Sequence, residues 1–248
     1  MTFQEAFKKD LKIFAYGMAV IVGLVGFGSW LVPRPGGSPP NTHIAFLPDH
    51  GRTKAQRAAQ AVWLVETPDS FGSAVAVKLD NKYAFLTAAH VTDGHTNVVL
   101  HRPLRGSDFS TGRVSIPARV SRTGGEYDFA VLEVDKAPEG IFNYTLELSK
   151  QDYPAVGTPV LVVGCPYGPL FPLVVSSGIV AAIGVQPEVR GWHWKALDYT
   201  DAVVWPGNSG GPVVADGKLI GILVGAIGPG GSMYVPVRQI RKALHDVF

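Results

Sequence analysis

From Ala61 onward, short apolar runs rich in β-branched residues recur, and Gly, Pro, Asp or Asn break each from the next. The first six are AVWLVE, GSAVAVKL, YAFLTAA, NVVLHR, RVSIPARVSR and DFAVLEV. A second six follow: PVLVVG, LVVSSGIVAAIG, WKALDYTDA, GPVVAD, KLIGILVGA and SMYVPV. Runs of this length with turn residues between them read as strands, and two such series predict two all-β lobes. The junction falls near Lys136 to Thr158, which puts the first lobe at about 59–137 and the second at about 156–237. The two series share no convincing internal sequence repeat. After them, Ile240, Leu244 and Val247 keep helical spacing, so a short C-terminal helix is expected over 238–247. Ahead of them, TKAQRAAQ (Thr53 to Gln60) predicts a short helix capped by Thr53.

A different pattern occupies the N-terminus. Ile13 to Val32 is an uncharged run of 20 residues. At about 1.5 Å per residue a helix there spans roughly 30 Å, the thickness of the bilayer core. Trp30 lies at one end and Tyr16 near the other, where interfacial aromatics sit. A cleaved signal peptide and a buried core helix are the rival readings. Signal peptides carry a shorter apolar region and a small-x-small cleavage site. Gly26 and Gly28 leave cleavage open, while the length of the run and the PRPGG after it favour an uncleaved anchor. Lys8, Lys9 and Lys12 precede the run, and only Arg34 follows closely. The positive-inside rule then predicts a cytoplasmic segment 1–12, a membrane-spanning helix 13–32, and a periplasmic or extracellular remainder. Residues 33–58, with PRPGGSPPN, read as a semi-rigid tether.

Composition narrows the classes. The chain has 248 residues, 46% hydrophobic and 17% charged, enough for one globular domain with a sizeable core beside that segment. Net charge is +2 with the signs interspersed, and without a basic run nucleic acid is not an expected partner. Cys165 is the single cysteine, so an intrachain disulfide is excluded and the compartment stays open. The chain has no H-E-x-x-H motif and no Gly-rich phosphate loop ahead of a helix, so neither a metal nor a cofactor is expected.

Candidate chemistry concentrates in WPGNSGGPVV, Trp205 to Val214, where Ser209 sits among three glycines and two prolines. A serine hydroxyl is a poor nucleophile at neutral pH. It needs a general base, a carboxylate to orient that base, and donors aimed at the developing oxyanion. Seven histidines are available. His43 and His50 lie in the tether, His95 and His101 after a turn or at a strand end, His193 between two tryptophans, and His245 in the last helix. His90 ends YAFLTAAHV, an apolar strand running into small residues that let a ring face a cleft. Asp128, in GGEYDFAVLEV, starts an apolar strand after a Gly-Gly turn, and Glu126 is its nearest rival. Alone, each reads as structural. Together they stand in the His, Asp, Ser order of chymotrypsin-type enzymes, with Ser209 on the other lobe, which places a site in the cleft between lobes.

TAAH and GNSGGP resemble the histidine and serine motifs of the trypsin-like (chymotrypsin-fold) serine proteases. The resemblance is closer to their HtrA/DegP-like branch. GSAVAVKLDNKYAFLTAAHV is similar to its Gly-Ser strand, hairpin and histidine loop, and YDFAVLEV to its aspartate strand. VVGCPYG, VVSSGIVAAIG, DYTDAVVWPGNSGGPVV and GSMYVPV resemble successive segments of its second barrel. The match runs in order from about Val62 to Arg241. It implies an all-β fold of two six-stranded antiparallel β-barrels with a short C-terminal helix, here preceded by a transmembrane helix.

By position, the resemblance makes His90 the general base, Asp128 its orienter, Ser209 the nucleophile, and the N–H groups of Gly207 and Ser209 the oxyanion hole. Gly207 has no Cβ, which lets its peptide turn an N–H inward. Val203 and Val204 would line the base of the substrate pocket, and Leu223, Val224 and Gly225 its wall. None of these is charged, so an aliphatic or small residue at the cleavage position is expected rather than Arg or Lys. The substrate strand would add to an edge near Leu223.

The chain departs from the branch in two places. Phe248 follows the last helix directly, so the PDZ domain typical of the branch is not expected, and oligomer formation is left open. Asn208 stands where chymotrypsin-like zymogens carry an aspartate that pairs with a newly cut N-terminal amine. It cannot form that ion pair, so activity is expected without a cleavage-generated N-terminus, the turn being held by local hydrogen bonds. Cys165, in GCPYG, reads as a buried small residue rather than a rival nucleophile. Trp192 and Trp194, at period two, read as a packed edge-strand pair or as a contact for membrane, partner or substrate. Three functions fit: a membrane-anchored serine endopeptidase acting on protein or peptide substrates in envelope quality control or regulated processing, a catalytically silent peptide-binding module, and a protease dedicated to itself or one tethered partner.

Overall fold

The computed structural model describes residues 53–79, 82–103, 113–170, 173–186, 188–189, 192–193, 196–226 and 230–245. The predicted cytoplasmic segment 1–12, membrane span 13–32 and most of the tether lie outside these residues, as do Trp194 and Val247. Among the described residues, no helix is long and apolar enough to cross a membrane. Both barrels and the helices belong to one compact unit, Ile44–Glu188 with Trp192–Phe248.

The first six runs form β1 (Val62–Glu66), β2 (Phe71–Leu79), β3 (Lys82–Thr87), β4 (Asn97–Pro103), β5 (Arg113–Thr123) and β6 (Ala130–Glu133). They close into a barrel in the order β1-β2-β3-β6-β5-β4. The second six form β7 (Pro159–Gly164), β8 (Val174–Val185), β11 (Leu197–Thr200), β12 (Pro212–Ala215), β13 (Lys218–Ala226) and β14 (Ser232–Pro236). Two short strands, β9 (Glu188–Val189) and β10 (Trp192–His193), fall between β8 and β11 in the chain. The second barrel closes in the order β11-β14-β13-β12-β7-β8. Strand for strand, this is the pairing order of the first barrel, although the two halves share no legible sequence repeat.

Three apolar clusters explain which runs alternate and which do not. Trp63, Val65, Ala74, Ala76, Phe85 and Leu100 fill the interior of the first barrel. Val162, Val180, Val213, Leu223 and Tyr234 fill that of the second. A third cluster joins Leu64, Val75, Val77 and Leu86 from the first barrel to Val163, Leu219, Ile222 and Val235 from the second. Strands such as β2 therefore bury both faces, one inside their barrel and one against the other barrel, and read as continuous apolar runs. β5 has only one covered face: Ile116 and Ala118 are buried, while Ser115, Pro117 and Arg119 face solvent. At about 1.5–3 kcal/mol per fully buried large side chain, the shared cluster is a principal hold between the barrels.

Helix α1 (Lys54–Gln60) starts at Thr53 with a capping box. Gln56 N–H donates to Thr53 Oγ1 (3.2 Å), and Thr53 N–H donates back to Gln56 Oε1 (2.9 Å). Ala58 carries this helix into the shared cluster, so it packs on the fold where the tether was expected to end. Helix α2 (Ala89–Thr92) is a single turn, and helix α3 (Val237–His245) closes the described chain. Arg238, at the start of α3, donates two hydrogen bonds to the Asp198 carboxylate on β11 (2.7 and 2.6 Å). Asp198 is fully buried and also accepts from Gly184 N–H (2.9 Å). A buried charge needs such complete pairing, and the pair fixes where α3 begins against the second barrel.

Candidate active site

His90 sits on the one-turn helix α2, not at the end of a strand. β3 ends at Thr87, and the small Ala88 and Ala89 let the chain turn at once into helix. Asp128 likewise lies in the turn before β6, which begins two residues later at Ala130. Both residues are half-buried. The Asp128 carboxylate stands 2.6 Å from His90 Nδ1 and accepts the His90 backbone N–H at 2.9 Å, so one side chain holds both ring and backbone. Glu126 is exposed.

Burial opposes charging either group, yet the pair overcomes it. For Asp128, the neighbouring His90 charge, the ring hydrogen bond and the backbone N–H groups of His90 and Ala89 hold the carboxyl below the usual aspartate range. For His90, burial pulls its pKa down, but attraction to Asp128, their hydrogen bond and Asp93 together raise it above its ordinary value near 6.5. The imidazole is thus a stronger base than a free histidine, and its Nδ1 is tied to the carboxylate.

A second histidine also meets a carboxylate and a hydroxyl. His101 on β4 lies with Nδ1 2.8 Å from Ser115 Oγ and Nε2 2.8 Å from Glu66. Burial first, then the Arg113 charge, push its pKa down. Ser115 sits opposite it within the β4–β5 ladder, on no glycine turn, so His101 is a buried strand residue.

Ser209 is placed by a turn held at nearly every peptide. Asn208 N–H donates to Trp205 C=O (3.0 Å) and Gly211 N–H to Asn208 C=O (2.9 Å). Gly210 N–H donates to Leu223 C=O (2.8 Å). Tyr167 N–H donates to Pro206 C=O (2.7 Å), and Ser73 N–H, from the first barrel, to Ser209 C=O (2.7 Å). Among the described residues, the N–H groups of Gly207 and Ser209 have no such acceptor, which leaves both able to donate to a ligand. Gly207 takes φ +97°, and a Cβ there would lie 2.4 Å from the Cys165 carbonyl oxygen. Only glycine fits that conformation in that space. Local bonds were expected to hold the turn; two are local, while those from Leu223, Tyr167 and Ser73 come from distant parts of the chain. Asn208 is itself buried, and its Oδ1 has no hydrogen-bond partner among the described residues.

The Ser209 hydroxyl donates to the carbonyl of Val224 (2.7 Å). Leu223 and Val224 were expected to form the pocket wall; the Leu223 side chain fills the second barrel's interior and that of Val224 packs in the cluster shared by the barrels. Their carbonyls are what face the serine turn, at a bulge where β13 loses register with β14 between Leu223 and Gly225. The β12–β13 pairing ends at Pro212 opposite Ile222, Leu223 is still bonded to Gly210 and Gly211, and from Val224 on that side of β13 has no strand partner among the described residues. Gly225 is half-buried, and a Cβ there would meet nothing within 4 Å. Val203 is exposed, and Val204 packs partly on the second core. Cys165 is fully buried, and burial pushes its thiol up to about 12, which makes it inert as a nucleophile at neutral pH. Among the described residues, no group of three His, Cys, Asp or Glu side chains is placed to hold a metal ion.

Sequence reasoning missed Ser73, the Tyr167 amide and the Val224 carbonyl. The one signal for Ser73 was a lone hydroxyl inside the apolar FGSAVAV strand. Backbone donors and acceptors leave no mark in a sequence.

The family model for the trypsin-like peptidase domain matches residues 72–222, well over half of the chain. A "Serine protease HtrA-like" of Staphylococcus epidermidis is 34% identical over 196 residues, covering 73% of this chain and 32% of that protein. The chain spans about a third of the length of the curated relatives it matches. Among solved structures, "HtrA-type protease AlgW with tripeptide" superposes with a TM-score of 0.63 at 28% identity, over 78% of this chain and 62% of that one. The MamO protease domain from Magnetospirillum magneticum (apo form) has the same fold, with a TM-score of 0.59 at 22% identity, over 75% of this chain and 96% of that one. The two closed barrels are thus the chymotrypsin-like fold, and the chain belongs to the trypsin-like peptidase domain family, with HtrA-type serine proteases among its relatives.

Proposed function

We propose that this protein is a serine endopeptidase that cleaves peptide bonds through an acyl-enzyme on Ser209. The observation that carries this reading is the Asp128–His90 pair, 2.6 Å apart, on the barrel to which the Ser209 turn is hydrogen bonded. A peptide laid along the free side of β13 would offer an N–H to the Val224 carbonyl and release the Ser209 hydroxyl toward His90 Nε2. His90 takes the hydroxyl proton as Oγ attacks the scissile carbonyl, and the N–H groups of Gly207 and Ser209 receive the oxyanion. His90, held by Asp128, then gives its proton to the leaving amine. Water repeats the cycle in reverse roles and frees Ser209. Val203, Val204 and the open space beside Gly225 carry no charge, which suits a small or aliphatic residue at the cleavage position.

Hydrolysis of a mixed peptide library, followed over pH, tests this. Cleavage should follow small or aliphatic residues; preferred cleavage after Arg or Lys overturns the pocket assignment. The free enzyme needs neutral His90, so kcat/KM should fall as pH drops through the His90 pKa, with its inflection above 6.5. An inflection clearly below 6.5 would contradict the base assignment.

A second reading rests on the Ser209 hydroxyl being engaged by the Val224 carbonyl: a silent peptide-binding module. Absence of fluorophosphonate labelling at Ser209, with peptide binding retained, would favour it. The uncharged run Ile13–Val32 and the lysines before it support a further part of the proposal. The catalytic domain is tethered outside the cytoplasm and acts on envelope proteins or on one tethered partner. A topology reporter fused after Phe248 should respond only outside; a cytoplasmic signal overturns this.

A further inference from the structure

We infer that Ser73 is a positioning residue whose hydroxyl fixes the oxyanion turn from the opposite barrel. The inference rests on the serine-protease reading of the site. Ser73 lies on β2 and its side chain is fully buried. Its Oγ donates to the Gly207 carbonyl (2.7 Å) and accepts the Cys165 N–H (2.9 Å). Its own N–H donates to the Ser209 carbonyl (2.7 Å), and its C=O accepts from Thr87 Oγ1 (2.7 Å). One residue of the first barrel therefore grips the second barrel at both ends of Gly207-Asn208-Ser209.

The geometry gives this grip a catalytic consequence. Gly207 joins two peptide planes, and as glycine it is free to swing both. The preceding plane is fixed by the Tyr167 N–H on the Pro206 carbonyl. The following plane is fixed by Ser73 on the Gly207 carbonyl. The Gly207 N–H points opposite the Pro206 carbonyl across a planar trans peptide, and the Ser73 bond keeps the adjoining plane from turning against it at Gly207. That N–H is one of the two assigned to the oxyanion. Removing the Ser73 hydroxyl leaves the following plane held, among the described residues, only by Asn208 N–H on the Trp205 carbonyl, and leaves the Cys165 N–H and the Gly207 carbonyl without their partner. Substrate contacts along β13 are untouched, so the loss should fall on the transition state alone.

The test compares wild type, Ser73→Ala and Ser73→Cys on one peptide substrate and on the matching peptidyl aldehyde, which binds by forming a tetrahedral adduct. In Ser73→Ala, kcat should fall about 10- to 100-fold, less than the 10²–10³ of losing an oxyanion donor outright. KM should stay within about twofold, and aldehyde affinity should fall by the same factor as kcat. Ser73→Cys, a weaker donor of similar shape, should lie between, and it carries the test if the alanine variant does not fold. A merely structural serine predicts otherwise: a lower thermal midpoint with the kcat of the folded fraction and its aldehyde affinity unchanged. That result, in an active enzyme, overturns the inference alone. A wild type that neither hydrolyses the peptide nor binds the aldehyde overturns the protease reading and this inference with it.

Discussion

Replacing Ser209 with alanine will lower kcat on peptide substrates by about 10⁶-fold while leaving the fold in place. The size follows from what is removed: no other side chain of the turn can form the acyl-enzyme. Cys165, the one thiol, is buried and its pKa is raised, so it cannot substitute. The structural cost is small because Ser209 is half-buried and gives up one neutral hydrogen bond, to Val224, worth about 0.5–1.5 kcal/mol net. Single-turnover hydrolysis with a thermal melt checks both halves. Turnover within tenfold of wild type would remove Ser209 from the mechanism.

Asp128→Asn will cost on the order of 10⁴-fold in kcat, for a subtler reason. Asp128 accepts from the His90 backbone N–H through one oxygen and faces Nδ1 with the other. An asparagine can keep the first bond, but it then turns an NH₂ toward Nδ1. The ring must place its proton on Nε2, the atom that should accept from Ser209. The shape of the site survives and the tautomer is wrong. The same change removes the charge that raises the His90 pKa, so the acid limb of the residual activity should move to lower pH. A pH profile on the variant separates this from a simple packing defect. An unmoved acid limb, or a loss under tenfold, would show that Asp128 does not govern the base.

The strands were legible because each apolar run is short and bounded by turn residues, and all twelve runs appear as barrel strands. The helices at both ends were legible from a capping threonine and from apolar spacing. His90 and Asp128 were legible as chemistry but misplaced by a few residues. TAAHV reads as a strand end, yet small residues after Thr87 favour an immediate helical turn. Leu223 and Val224 show a different limit. The resemblance placed them in the pocket wall by position; the Leu223 side chain packs inside the second barrel and that of Val224 between the barrels, so it is their carbonyls that face the serine turn. Ser73 and Gly207 lie 134 residues apart, and no local pattern announces a contact at that distance. What the sequence hid was therefore the support of the site, which is largely backbone, rather than its reactive groups.

The division of the site between two separately closed barrels also bears on biosynthesis. His90 and Asp128 are complete once the first barrel forms, but the turn that carries Ser209 takes its shape from Tyr167, Leu223 and Ser73 together. β13, which supplies Leu223, leaves the ribosome after the serine itself. A chain in which only the first barrel has formed therefore has the His90–Asp128 pair but lacks the turn that shapes Ser209. On the proposed serine-protease reading, cleavage would begin only once β13 has folded into the second barrel.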